Sequence, residues 1–169
     1  MNYKKQGYVA SDPSNQDCQF LEMEEKEVIN VAAKRPTTAS SILLGQSQFG
    51  PSNAVDGVTN CPLASGYLAM TQLQKSPWFQ VDFESPVDVL KVLIIGRQDC
   101  CYERLHHVYV SVHDSVTYRL CGYYDGPPTQ RTYIMVYCKN IIQSPLVVIT
   151  LNGDVQQYLE LCEVAVFGR

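Results

Sequence analysis

The sequence predicts an all-β protein, built as a two-sheet sandwich or jelly roll with little helix. Two of its stretches alternate apolar and polar side chains with a period of two, which is typical of strands with one buried face, and others are almost continuously apolar, as in strands at the centre of a sheet. Glycine, proline and asparagine turn signals separate the stretches, and short strands at such spacing favour a sandwich. Strands are predicted at residues 78–83, 87–95, 107–113, 132–137, 146–151 and 159–167.

The chain of 169 residues is long enough for a single domain with one core. Residues 1–28 are polar and mixed in charge, and they end in an acidic run that predicts a solvated face. We therefore expect an N-terminal arm over residues 1–28 and one domain over residues 29–169.

Charge and apolar runs give no support for several classes of partner or location. The formal net charge of −4 gives no electrostatic reason to expect nucleic acid or an anionic membrane. No apolar run approaches the roughly 18 residues of a membrane span. The first residues lack the apolar segment of a signal peptide, so the start is processed or recombinant, or the chain is not exported by that route.

Seven cysteines are many for a chain of this size in a reducing compartment. They predict a set of disulfides and a secreted protein or another oxidising compartment. Because seven is odd, at least one thiol is free or joined to another chain.

The sequence contains none of the motifs that would predict an enzyme. It has no G-x-S-x-G elbow, no H-E-x-x-H, no P-loop and no G-x-G-x-x-G, so no catalytic residues are predicted. The three histidines, at 106, 107 and 113, lie in or beside one predicted strand, with His107 and His113 on the same face. Their simplest interpretation is as surface or satisfied strand residues.

The segment RQDCCYER, residues 97–104, concentrates the unusual chemistry. Adjacent cysteines on a strand face opposite sides, which disfavours zinc, and a thioredoxin-type redox centre needs C-x-x-C. A bond between Cys100 and Cys101 would span Cα atoms only about 3.8 Å apart and would present a strained apolar plate. Arg97 and Arg104 offer planar donor forks that Asp99 can orient, so the cluster suits a deoxy sugar. Alternatively, each cysteine pairs elsewhere and the charges form a surface network.

Several segments together resemble one family. These are Asn30-Val31-Ala32, Asn53-Ala54-Val55-Asp56-Gly57, Pro77-Trp78-Phe79-Gln80-Val81-Asp82, RQDCCYER and Leu161-Cys162-Glu163-Val164-Ala165-Val166-Phe167-Gly168. Over residues 29–168 the chain resembles the F-type lectin (fucolectin) family, which has a discoidin-like β jelly roll. The resemblance implies a non-enzymatic glycan-recognition module.

The family's sugar motif is H-x26-R-x-D-x4-R/K, and Arg97, Asp99 and Arg104 match it in identity and spacing. The histidine position holds Met70. The resemblance implies that the arginines bind hydroxyls of L-fucose and that Cys100–Cys101 packs on the sugar ring. It also implies that a loop containing Leu63 and Tyr67 receives the C6 methyl group. We therefore expect weakened or altered sugar binding, and the alternative is recognition of a protein or membrane surface by the same fold.

The resemblance also implies a structural calcium ion, since family members hold one in oxygen-rich loops. Its ligands would come from Asn53, Asp56, Val58, Tyr67, Cys162 and Glu163.

The disulfides follow from the resemblance as well. Cys121 and Cys138 resemble the family's second bridge, whereas the family partner of Cys162 falls at Leu68, so that bond is lost or rerouted to Cys61. Cys18 is the natural odd thiol. A link between chains through it would give the oligomer on which weak lectin sites depend.

Overall fold

The computed structural model describes residues 27–113, 116–128 and 133–169. The predicted arm lies almost entirely outside the described residues, so the boundary at residue 28 stays a prediction. The strands are β1 (Ile29–Asn30), β2 (Thr37–Ala39), β3 (Ala69–Met70), β4 (Gln74–Lys75), β5 (Trp78–Gly96), β6 (Val108–His113), β7 (Tyr118–Tyr124), β8 (Tyr133–Leu151), β9 (Gln156–Gln157) and β10 (Glu160–Gly168). The helices described are short 3-10 turns, at Leu43–Gly45, Ser47–Phe49, Pro51–Val55, Leu63–Ser65 and Tyr102–Arg104.

Two long strands connect the halves of the sandwich. β5 and β8 each have 19 residues and pair antiparallel along their length. The stretches 78–83 and 87–95, expected as separate strands, are one strand with a register shift between Asp82 and Val87. A local break of this kind bends a strand without ending it, so one strand contributes to both layers.

Each half of the β5–β8 pair has its own neighbours. The first half of β5 borders β2, and the matching half of β8 borders β6, which pairs with β7. The second half of β5 borders β10, which also pairs with β1 and β3. The predicted all-β sandwich is therefore confirmed, with its two layers joined through β5 and β8.

Alternating side chains fill the space between the layers. The main core takes the inward residues of both halves, among them Val81, Ile94, Val110, Ile149 and Val164. Each of these is essentially inaccessible to solvent, as the period-two pattern requires.

A second, smaller core lies under the loops of residues 42–68. It contains Phe49, Cys61, Leu68, Met70, Ile95 and Cys162. This small core supports the loops that reach the residues after β5, where Leu63 N–H contacts Asp99. In the part of the chain that is described, no helix has the length and apolar character needed to cross a bilayer.

The strands differ from the prediction at two further places. His107 lies outside β6, because its φ of +47° is left-handed and incompatible with extended backbone, so it does not share a strand face with His113. β7, Tyr118–Tyr124, was not expected, since its apolar and polar residues do not alternate regularly.

Candidate functional site

The site begins where β5 ends. Arg97 follows the last strand residue, Gly96, and its guanidinium binds Asp99 through two parallel hydrogen bonds. Arg97 Nε donates to Asp99 Oδ1 over 2.6 Å, and Nη2 donates to Oδ2 over 3.0 Å. The hydrogen bond from Arg97, followed by the backbone N–H of Leu63 at 3.3 Å, lowers the pKa of Asp99 to about 2. Asp99 therefore stays ionised and orients Arg97, as predicted from the sequence.

A buried carboxylate that the sequence interpretation missed joins the two arginines. Glu160 opens β10, and its side chain is only 4% exposed. Its Oε1 accepts hydrogen bonds from Arg97 Nη1 and from Arg104 Nη1, each at 3.2 Å. The available signal was an acidic residue at the first position of the mostly apolar strand ELCEVAVFG, two positions before Cys162.

The two arginines differ in how far they are committed to protein contacts. The Arg97 side chain is 11% exposed and donates through all three of its nitrogens. The Arg104 side chain is 38% exposed. Among the described residues its guanidinium donates only through Nη1, and it lies 5.4 Å from the Tyr158 ring. Arg104 is therefore the arginine that retains donors for a ligand, and Arg97 is the more firmly held of the two.

The adjacent cysteines form a disulfide beside these arginines. Cys100 and Cys101 are bonded across a Cα–Cα distance of 3.8 Å, and both residues are half-buried. The backbone is unusual, as expected, because Cys101 has a left-handed φ of +66°. The following 3-10 turn places Arg104 next to the disulfide, with Arg104 N–H donating to Cys101 O over 3.1 Å.

A small pocket collects these groups. Its walls include both arginines, Glu160, Cys101 and Tyr158. Tyr158 is a second residue that the sequence interpretation missed. The pocket combines ion-paired polar groups with sulfur and ring surfaces, a combination that suits a ligand with one hydroxylated side and one apolar side.

Met70 lies next to the pocket but faces the small core. In the antiparallel pairing of β3 with β10 it is directly opposite Glu160, so both side chains project from the same face of the sheet. Met70 is 7% exposed and packs with Leu68, Ile95 and the Cys61–Cys162 bridge. Its thioether adds no hydrogen-bond donor at this position.

The loop of residues 63–67, which the resemblance expects to receive the methyl group, contacts the same site through Leu63. Leu63 is 36% exposed and is held to Asp99 through its backbone N–H, whereas Tyr67 is 50% exposed. Ser65 fixes the turn between them, since its hydroxyl donates to Pro62 O over 2.7 Å and accepts from Tyr67 N–H over 3.2 Å. The structure therefore brings Leu63 to the arginine cluster and leaves the Tyr67 ring half in solvent.

The residues predicted to bind calcium gather in one region. Asn53 Nδ2 donates to the carbonyl oxygens of Gln48, Gly66 and Leu68, at 2.8, 3.2 and 3.3 Å, and so holds the Tyr67 turn against its own loop. Asp56 Oδ1 accepts from Val58 N–H over 2.7 Å, and Glu163 Oε2 accepts from Gly57 N–H over 3.1 Å.

The charges in this region are unbalanced. Burial raises the pKa of Glu163 to about 7, and the nearby Asp56 carboxylate adds to the shift. The described residues contain no group of three or more His, Cys, Asp or Glu side chains that could hold a metal. Two carboxylates with surrounding carbonyl oxygens nevertheless fit the oxygen chemistry of Ca²⁺.

The structure contains three disulfides among the described cysteines. Cys121–Cys138 is present as predicted, and Cys61–Cys162 shows that the second bond is rerouted and not lost. The sulfurs of Cys61 and Cys162 also lie 3.4 and 3.5 Å from the Val58 carbonyl oxygen. Cys18 is outside the described residues.

Fold and site together define the class: a discoidin-like β jelly roll with a lectin-type pocket at the end of β5. The chain belongs to the F5/F8 type C family of NedA-like, galactose-binding domains, whose family model matches residues 53–143. With its fucolectin relatives and the fucolectin structure it resembles, this match shows an F-type lectin-like domain with a discoidin-like fold.

Two relatives and one solved structure illustrate the similarity. A pentraxin fusion protein of Xenopus laevis is 30% identical over 131 residues, covering 72% of this chain and 31% of the relative. A fucolectin of Anguilla anguilla is 31% identical over 85 residues, covering 49% of this chain and 54% of the relative. A fucolectin crystal structure from striped bass (Morone saxatilis) serum superposes with a TM-score of 0.77 at 29% identity, covering 85% of this chain and 50% of that one. The chain thus spans between a third and about half of these proteins.

Proposed function

We propose that the pocket at the end of β5 binds a deoxy sugar of the L-fucose type, with weaker affinity or altered specificity relative to fucolectins. One observation carries this proposal. Two guanidinium groups converge on the single buried carboxylate of Glu160, directly beside the Cys100–Cys101 disulfide.

The chemistry of the pocket matches such a ligand on two sides. The planar forks of arginine donate hydrogen bonds in pairs, which suits neighbouring hydroxyl oxygens. Cys101 and Tyr158 offer polarisable apolar surface for the C–H face of a ring. Because Glu160 and Asp99 fix the arginines before a ligand arrives, little side-chain entropy is lost on binding.

The altered affinity is attributed to Met70. A family histidine at this position would add a polar contact, and the loss of one such contact costs about 0.5–1.5 kcal/mol, or nearer 1.5–3 kcal/mol where a charge takes part. Each 1.4 kcal/mol corresponds to about tenfold in affinity. The wild-type site would therefore bind L-fucose roughly tenfold more weakly than a site with the histidine restored.

Calorimetric or NMR titration with L-fucose tests the proposal. Met70→His should strengthen binding about tenfold, and Arg104→Gln should weaken it by at least as much. Arg35→Gln serves as a control, because Arg35 forms an exposed ion pair with Glu84 away from the pocket. Strong binding by the wild type that Met70→His leaves unchanged would refute the role of Met70. Binding that Arg104→Gln leaves unchanged would refute the site itself.

A second candidate function is recognition of a protein or membrane surface. It is favoured by Met70, which offers no hydrogen-bond donor to a sugar, and by the exposed side chains of Leu63 and Tyr67. A glycan screen at millimolar sugar separates the two functions. Sugar-dependent changes in thermal stability support the lectin function, and their absence supports surface recognition.

We also propose a structural calcium site between the Asp56 loop and Glu163. Asp56 and Glu163 would provide carboxylate oxygens, and the chain around Asn53, Val58, Tyr67 and Cys162 would provide carbonyl oxygens. The cation would compensate the neighbouring carboxylates of the buried Glu163 and the half-buried Asp56.

Thermal unfolding with calcium or with a chelator tests the site. Calcium at a hundred times its Kd would add about 2.7 kcal/mol to the free energy of unfolding. Glu163→Gln should abolish the difference, whereas Glu103→Gln, at an exposed position of the same charge, should preserve it. A chelator that leaves wild-type stability unchanged would contradict the proposal.

The disulfides fit an extracellular protein, and we propose that the chain is secreted and that Cys18 links chains. Joining weak sites would raise their apparent affinity through effective concentration. Electrophoresis without reductant should show a covalent dimer that Cys18→Ser converts to monomer. A monomeric wild type would exclude this link.

A further inference from the structure

A second concavity lies away from the arginine pocket, where β6 begins and β7 and β8 end. It is an open depression with a volume of about 320 Å³, within the lower range of small-molecule sites. It is lined by His107, Tyr109, Tyr123, Asn152, Gly153 and Asp154. None of these residues takes part in the site described above.

One wall of this concavity is aromatic. Tyr109 and Tyr123 are cross-strand partners on β6 and β7, with ring centroids 4.6 Å apart and planes tilted by 45°. Tyr123 is 43% exposed, so ring surface is available to a ligand. The same row continues across the sheet through Thr150 to Trp78.

The rim of the concavity is polar and organised. The Tyr123 hydroxyl donates to Asp125 Oδ1 over 2.5 Å, and this hydrogen bond raises the pKa of Tyr123 to about 12. His107 Nε2 lies 3.4 Å from the same oxygen. Asn152 and Asp154, both exposed, add an amide and a further carboxylate to the lining.

The backbone of His107 is held in a conformation that few side chains adopt. Its φ is +47°, and two backbone hydrogen bonds fix it there. His107 N–H donates to Asp125 O over 2.8 Å, and Asn152 N–H donates to His107 O over 3.0 Å. Strained residues that neighbouring segments hold in place are concentrated at binding sites, and here the three segments that meet at His107 are those that carry the rim.

We infer that this concavity is a second saccharide site, which binds a pyranose residue through Tyr109 and Tyr123 and through the polar groups of the rim. The C–H face of a pyranose would pack against the tilted rings. Its hydroxyls would hydrogen-bond with the side chains of Asn152, Asp154 and His107. The amide and the imidazole can donate or accept, and the carboxylate accepts. A quaternary ammonium ion is less well matched, because it has no hydrogen-bonding groups and would use only the rings and the negative charge, leaving the Asn152 and His107 side chains without a ligand partner.

The two sites share one end of the molecule but are separate in composition. Leu105 lines the first pocket and His107 lines the second, with His106 between them. The inference does not depend on the first pocket binding fucose, since no residue lines both.

Amide and aromatic NMR spectra of the full chain test the inference, recorded with glucose, galactose, N-acetylglucosamine and L-fucose up to about 50 mM. We expect at least one sugar to shift the signals of Tyr123, Asn152 and Gly153. Tyr123→Ala should weaken that binding roughly fivefold or more, and Tyr123→Phe should retain most of it, since the ring supplies the stacking surface. Tyr137→Ala is the matched control, because Tyr137 is an exposed tyrosine that lines neither pocket.

Each alternative outcome is distinguishable. Shifts confined to Arg97, Tyr102 and Leu63 would overturn the second site and leave the first intact. Shifts at Tyr123 and Asn152 that persist in Arg104→Gln would support it even if the first pocket binds nothing. Shifts with tetramethylammonium and with no sugar would overturn it in favour of a cation site, and equal losses in Tyr123→Ala and Tyr137→Ala would also overturn it.

Discussion

At the scale of single residues, the pocket is stabilised because its carboxylates are paired with its arginines. Glu160 is buried and would be costly alone, but two guanidinium groups satisfy its oxygens. Asp99 plays the corresponding role on the exposed side of Arg97. The two carboxylates balance the two arginines, so the cluster is neutral and can be held partly buried without a counter-ion from solvent.

Replacing Glu160 tests this arrangement. Glu160→Gln removes one of the two carboxylates that pair with the nearly buried Arg97, and we expect a loss of about 2–3 kcal/mol in the free energy of unfolding. The half-exposed Arg104 keeps this below the full range for buried pairs. Thermal unfolding should show a midpoint lowered by roughly 5–10 °C. Glu103→Gln should have little effect, and equal midpoints for the two variants would contradict the role of Glu160.

The lowered pKa of Asp99 predicts how the stability of the folded protein depends on pH. Its pKa is about 2 in the folded protein, below the usual value of 3.8, so the folded state favours the ionised form. The stability that this carboxylate adds is therefore complete above about pH 4 and is lost as the pH falls towards 2. Acid unfolding of the wild type and of Asp99→Asn should converge over this window. A stability difference that stays constant from pH 5 to pH 2 would be incompatible with the Arg97–Asp99 pair.

At the scale of elements, the site is a loop cluster fixed to strand ends. The segment after β5 carries the arginines and the vicinal disulfide, and β10 supplies Glu160 at its first residue. The Cys61–Cys162 bridge joins the small core under the loop of residues 42–68 to the same strand. Sequence periodicity predicted the long strands but not their continuity through the bend near residues 83–86. Period-two patterns record which face is buried and do not record how the strand bends.

Removal of the Cys61–Cys162 disulfide, which closes a long loop, is expected to lower the stability substantially. Cys61 and Cys162 are 101 residues apart, so chain-entropy arguments assign their bond about 4.7 kcal/mol. Cys121 and Cys138 are 17 apart, which corresponds to about 3 kcal/mol.

Double replacement by alanine of each pair, followed by denaturant unfolding without reductant, measures both values. We expect the Cys61→Ala, Cys162→Ala variant to be the less stable of the two. The opposite order would show that strain or residual structure in the unfolded chain outweighs loop length.

At the scale of the whole molecule, the described residues contain a complete sandwich. β1 closes the edge of the sheet against β10, with Ile29 opposite Gly168, so the first and last strands of the described chain pair with each other. The main core draws its members from Ala32 to Val166. We therefore expect residues 29–169 to be sufficient to form the fold.

Removing residues 1–28 tests this sufficiency. The shortened chain should unfold at the same denaturant midpoint within about 0.5 kcal/mol, as expected for changes outside the core. Its sugar titration should also be unchanged for a monomer. A large loss of stability would show that the first 28 residues pack against the domain.

The sequence alone determined the all-β class, because period-two burial and turn residues are local properties of the chain. It also determined the arginines, the aspartate and the adjacent cysteines of the first pocket, since these lie within eight consecutive residues. Only the tertiary structure decided that Glu160 joins both arginines from 56 and 63 positions away. It likewise decided that Met70 faces the small core, that Cys162 pairs with Cys61, and that His107 and Tyr123 line one concavity. These contacts depend on strand register and loop closure, which link residues distant in sequence and leave no periodic trace in it.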